Sequence, residues 1–117
     1  MAQDLIANLE ALLAKGQDAP SLRFALASRY LAAGDAAAAL RHAEAAVALD
    51  AAYSAGWKVL GQARAAAGDA RGAAESYRRG IEVADAGGDR QAAKEMQVFL
   101  KRLDKNTASA PSDDGAA

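Results

Sequence analysis

The chain has 117 residues, enough for one domain with a modest core. About half of it is apolar, but only 5% is aromatic and alanine dominates, so its helices must pack closely on small side chains. A net charge of −1 with acids and bases interspersed excludes the concentrated basic field of a nucleic-acid protein, and the lack of cysteine excludes disulfides and thiolate chemistry.

Leu5, Ile6, Leu9, Leu12 and Leu13 lie on one side of a helical wheel, which predicts an amphipathic helix over 4–15. The run Gly16-Gln17-Asp18-Ala19-Pro20 ends it. Next, Ala32-Ala33-Gly34-Asp35-Ala36 returns as Ala66-Ala67-Gly68-Asp69-Ala70, 34 residues later without a gap. Glycine tolerates the left-handed backbone that closes one helix, and the aspartate after it can cap the free N–H groups that open another. The chain therefore reads as helix, tight turn, helix in two units, 20–53 and 54–87. Leu26 is equivalent to Leu60, Ala27 to Gly61, Ala39 to Ala73 and Ala46 to Gly80, which keeps small residues where the two helices of a unit touch.

Extended backwards, the same register makes residues 1–19 the second half of a preceding unit, with the five early apolar residues at core positions. Extended forwards, Gly87-Gly88-Asp89 repeats the turn and opens a closing helix over 89–104, with an apolar stripe of Ala92, Met96, Phe99, Leu100 and Leu103 and a polar outer face. Residues 105–117 have no periodicity and are expected to form a disordered tail beyond a single domain, 1–104.

This pattern resembles the tetratricopeptide repeat family, whose unit carries a Trp, then Leu-Gly, a Tyr, and later Ala, a bulky aromatic, Ala and Pro. The second unit matches through Trp57, Leu60, Gly61, Ala73 and Tyr77; the first matches through Leu26, Ala27, Tyr30, Ala39 and Ala46. Arg23 replaces the Trp, Arg64 the Tyr and Ala43 the aromatic, and Ala51 and Asp85 stand where Pro is usual. The resemblance implies an all-α, right-handed stack of antiparallel helical hairpins: a half repeat, two full repeats and a closing helix.

Little in the chain points to catalysis. One histidine and no cysteine supply neither the usual zinc ligands nor a Cys–His nucleophile, so no metal, cofactor or catalytic residue is expected. The register turns His42 outward, as a solvated surface residue. Asp35, Asp69 and Asp89 are explained as caps, each worth about 1 kcal/mol. Glu75 and Arg79 have the spacing of an i, i+4 ion pair. Gly87-Gly88-Asp89 follows a helix and lacks the Gly-Lys-Ser/Thr ending of a phosphate loop. Trp57 and Tyr77 are placed in the core by their repeat positions. Arg64, where an aromatic is usual, must snorkel or find a carboxylate, and it is expected in a structural ion pair rather than a ligand contact.

The resemblance also implies that first helices line a concave face. Its inner positions would be Ser21, Phe24, Ser28 and Leu31 in the first unit, and Ala55, Lys58, Gln62 and Ala65 in the second. With Met96 equivalent to Leu60, the closing helix would add Gln91, Lys94, Val98 and Lys101. Three lysines, no acid, and Phe24, Leu31 and Val98 as apolar anchors suit an extended peptide or chain terminus bearing acidic groups. The expected function is a non-catalytic adaptor or scaffold that docks a peptide or helix of another protein. The alternative is a self-associating structural protein that pairs through an end helix or the groove. Met1-Ala2-Gln3-Asp4 carries an acid where a secretory leader carries bases, and no stretch reaches the roughly 18 to 20 apolar residues of a membrane span, so a cytoplasmic protein is expected.

Overall fold

The computed structural model describes residues 2–109, all of whose regular elements are helices: α1 (Ala2–Ala14), α2 (Pro20–Ala32), α3 (Ala36–Leu49), α4 (Ser54–Ala66), α5 (Ala70–Ala86) and α6 (Arg90–Ser109). α6 runs five residues beyond 104 and so takes in the start of the segment expected to be a tail. The rest of that segment, 110–117, lies outside the described residues.

The two turns that carry the repeat are built alike. Gly34 and Gly68 take φ of 82° and 87°, the left-handed region closed to most side chains. That backbone brings the next N–H back onto the finished helix: Asp35 donates to the Tyr30 carbonyl at 2.9 Å and Asp69 to the Arg64 carbonyl at 2.8 Å. The carboxylates of the same two aspartates then accept from the N–H groups of Ala38 and Gly72, at 3.0 and 2.9 Å, and so open the next helix. Gly88 and Asp89 repeat the arrangement between α5 and α6, where Asp89 caps Ala92.

α2 packs on α3 and α4 on α5, as two hairpins; α3 leans on α4 and α5 on α6, which joins the units. Small residues set the approach. A Cβ on Gly61 would run into the Tyr77 ring, and one on Gly80 into the Met96 thioether and the Trp57 Cβ. Leu26, Leu60 and Met96, equivalent by register, are all buried, which fixes α6 as a further first-type helix. One apolar cluster around Ala27, Ala43, Val59 and Leu60 ties the first unit to α4, and a second around Ala73, Tyr77, Ala84 and Met96 ties α5 to α6.

The first-type helices α2, α4 and α6 also touch in sequence, α2 on α4 and α4 on α6, whereas among the described residues α3 and α5 make no contact. The stack is therefore tight along one row and splayed along the other, and the tight row forms the inner layer.

Three expectations need correction. Leu5 and Leu12 are not core: they are 44% and 37% exposed, and α1 packs on α2 through its other face. Arg79 does not pair with Glu75; its guanidinium reaches Glu82 at 3.3 Å and lies 5.9 Å from the Trp57 ring centre. Trp57 itself is only half-buried, its indole N–H donating to the Ala51 carbonyl at 2.8 Å.

Candidate functional site

The inner layer presents three groups of side chains. On α2, Phe24 is half-buried and meets Tyr53 edge-on, with ring centres 6.1 Å apart, and Leu31 packs on the same apolar cluster. Ser28, one turn from each, is partly exposed.

The second group lies between α4 and α6. A hollow of about 200 Å³ is lined by Ser54, Ala55, Lys58, Gln91 and Glu95. Lys58 Nζ sits 3.0 Å from Glu95 Oε1, so this lysine already holds a carboxylate from its own chain. The lysine bond, helped by Gln91, keeps the Glu95 carboxyl below the usual range. Both partners are partly exposed, so the pair is screened by solvent and weakly held. Gln62, one turn along α4, is half-buried.

The third group is on α6 alone. Lys94, Val98 and Lys101 line a hollow of about 520 Å³ with Gln97, Leu100 and Asp104. Val98, 48% exposed, stands between the two lysines. The eight expected residues are thus all on the first-type helices, but in three sets: Phe24, Ser28 and Leu31; Lys58 and Gln62; Lys94, Val98 and Lys101. Glu95, not Lys94, turns toward Lys58. The acid in the inner layer escaped the sequence reading because the register assigned Glu95 to a position that in α4 is the buried Val59.

A second polar cluster ties α1 to the first unit and overturns the outward placement of His42, which is 5% exposed. Arg23 binds both Asp18 carboxylate oxygens through one guanidinium edge, Nε at 2.8 Å and Nη2 at 2.9 Å, and donates from Nη1 to His42 Nδ1 at 3.0 Å. An arginine can only donate, so Nδ1 accepts and Nε2 carries the proton, which points to Glu10 Oε2 at 3.3 Å. Tyr30 donates to the same oxygen at 2.6 Å and stacks on the imidazole with planes 3° apart. Burial holds the His42 imidazole below its usual range, and the Arg23 hydrogen bond does the same for the Asp18 carboxyl. The cluster is satisfied from within, so it is a clasp.

Arg64 is explained by the same pair of positions one repeat on. It donates to Ser76 Oγ at 2.8 Å and to the Gly72 carbonyl at 3.3 Å. Neutral acceptors of its own hairpin hold it, and among the described residues it forms no ion pair with a carboxylate.

Among the described residues, no group of three or more acidic, histidine or cysteine side chains converges to hold a metal, and no helix is long and apolar enough to cross a membrane.

No protein-family model matches the chain. It is 52% identical over 101 residues to the TPR repeat-containing protein PA0015 of Pseudomonas aeruginosa, spanning 86% of this chain and 96% of that one. Among solved structures, it is similar to protein BPP2914 from Bordetella parapertussis, with a TM-score of 0.78, 39% identity, and 95% and 96% of the two chains covered. The Sgt2 TPR domain from Aspergillus fumigatus aligns with a TM-score of 0.60 and 25% identity, over 98% of this chain and 88% of that domain.

Proposed function

The chain belongs to the tetratricopeptide repeat family, and on that premise we propose that it is an adaptor that seats an extended peptide or helix of a partner protein across its inner layer. Proteins of this family generally mediate protein–protein interaction and are typically non-catalytic. The observation that supports the finer reading is the contact of α2 with α4 and of α4 with α6, the helices that carry Phe24, Lys58, Lys94, Val98 and Lys101. Phe24 and Val98 would anchor apolar side chains of the partner. Lys94 and Lys101 would meet its acidic groups, and Lys58 would exchange Glu95 for one of them. The hairpins are already closed by their own turns and clusters, so docking requires little backbone movement.

Affinity capture tests the proposal, with the wild type run beside a Phe24→Ala, Lys58→Glu double variant that circular dichroism shows to be folded. A protein retained by the wild type and lost by the variant is the expected result. Equal retention by both would move the binding surface off the inner layer and overturn the reading.

A further inference from the structure

Two acids line the hollow between α4 and α6, and they are held differently. Asp89 accepts from the Ala92 N–H at 3.0 Å and so opens α6. Glu95 is held by two side chains: Lys58 Nζ lies 3.0 Å from its Oε1, and Gln91, one turn back, donates to its Oε2 at 3.4 Å. Its carboxylate therefore fills the place that a partner's carboxylate would take on Lys58, with both oxygens engaged. The Lys58 and Glu95 side chains are 27% and 40% exposed, so an incoming group reaches the pair from solvent. Lys58, Asp89 and Glu95 set one cation against two acids on the wall of the hollow. A carboxylate that enters while Glu95 is in place meets net repulsion; one that enters as Glu95 swings out meets a balanced wall.

On the reading that a partner docks across the inner layer, we propose that Glu95 is a resident competitor for Lys58, which makes this lysine selective for a carboxylate delivered by an already seated partner. A tethered group competes at an effective concentration on the order of millimolar. A free acid in the micromolar range therefore leaves Glu95 on Lys58. A partner whose apolar side chain is seated at Phe24 presents its own acid as a tethered group, and the two carboxylates then exchange on equal terms. The two contacts are coupled in this way: the one at Lys58 forms after the one at Phe24. Lys94 and Lys101 carry no such threshold, since among the described residues neither is ion-paired.

A hexaglutamate peptide, which has acids and no apolar anchor, is the probe. It is titrated into the full labelled chain while the Lys58 side-chain signals and the amides around them are followed by NMR. Glu95→Gln keeps the shape and removes the charge, and Lys58 should then bind the probe about two- to fivefold more tightly than in the wild type. Glu75→Gln removes the same charge from an exposed position on α5 and should leave the affinity at Lys58 unchanged. In a Lys58→Gln background, Glu95→Gln should gain nothing at the neighbouring amides. An equal gain from Glu75→Gln, or a gain that survives Lys58→Gln, would mean net charge alone is read and would overturn the proposal. Equal affinity at Lys58 with and without Glu95 would overturn the competition and leave docking on the inner layer standing. No response of Lys58 in any of the chains would show that the hollow takes no carboxylate, which overturns the proposal together with the part of Lys58 in docking.

Discussion

Positions 42 and 76 are one repeat apart, and both bury a polar side chain against the position twelve residues before it. In the first unit Tyr30 stacks on His42; in the second Arg64 donates to Ser76. An aromatic with an imidazole and a guanidinium with a hydroxyl are two solutions to one packing slot, so the substitution of Arg64 for an aromatic is matched across the hairpin. Replacing Arg64 by Leu removes a charge-assisted hydrogen bond and should cost about 1–2 kcal/mol in urea unfolding. The double change Arg64→Tyr, Ser76→His, which installs the first unit's pair, should recover at least half of that. No recovery would mean the slots are not equivalent.

The His42 clasp gives the protein a pH dependence with a fixed sign. Burial holds the imidazole below its ordinary value of 6.5, so the unfolded chain takes up the proton more readily than the folded one. The contribution of neutral His42 is complete above that value and declines as pH falls below it. Protonation also removes the acceptor of Arg23 and sets two cations together. The thermal midpoint should therefore drop between about pH 7.5 and about pH 5.5, and His42→Gln should flatten the change. Equal slopes in the two proteins would remove His42 as its source.

At the scale of elements, the turns are where local chemistry determines structure most directly. Of the adjacent glycines before α6, Gly88 has φ of 78° and Gly87 of −89°. Gly88→Ala should cost about 1–2 kcal/mol, the strain of a side chain in the left-handed region. Gly87→Ala, at a backbone angle any residue takes, should be neutral or slightly stabilising. Chemical denaturation of the two variants separates them, and equal losses would mean the backbone there is not as described. Trp57→Ala should cost about 2–3 kcal/mol, less than for a fully buried ring, because only part of the indole packs against the Gly80 side of α5.

These elements were legible in the sequence because each rests on a local signal: a glycine in the left-handed region, an aspartate that caps, an apolar stripe of helical period. The placement of His42 was not, since its cover comes from α1, which belongs to a different unit and brings Glu10 from 32 residues away. The exposure of Leu5 and Leu12 depends on what lies next to α1, which periodicity cannot report. Glu95 was missed for a related reason. The register sets Glu95 on the position of the buried Val59, whereas its carboxylate reaches across to Lys58 on α4.

At the scale of the whole molecule, the two rows of helices are built differently. α3 and α5 supply the alanine-rich, glycine-rich surfaces that let the hairpins close, and they stay apart from each other. α2, α4 and α6 supply the continuous layer, and the proposed docking rests on their side chains. A half repeat at the start and a first-type helix at the end extend two units to about the three hairpins that such a stack needs.

The central claim is that binding occurs on the row of first-type helices. The most direct test follows amide chemical shifts of the labelled chain while a captured partner, or an acidic peptide from it, is titrated in. Shifts concentrated on α2, α4 and α6, around Phe24, Lys58 and Val98, and lost in the Phe24→Ala, Lys58→Glu variant are expected. Shifts confined to α3 and α5 would contradict it.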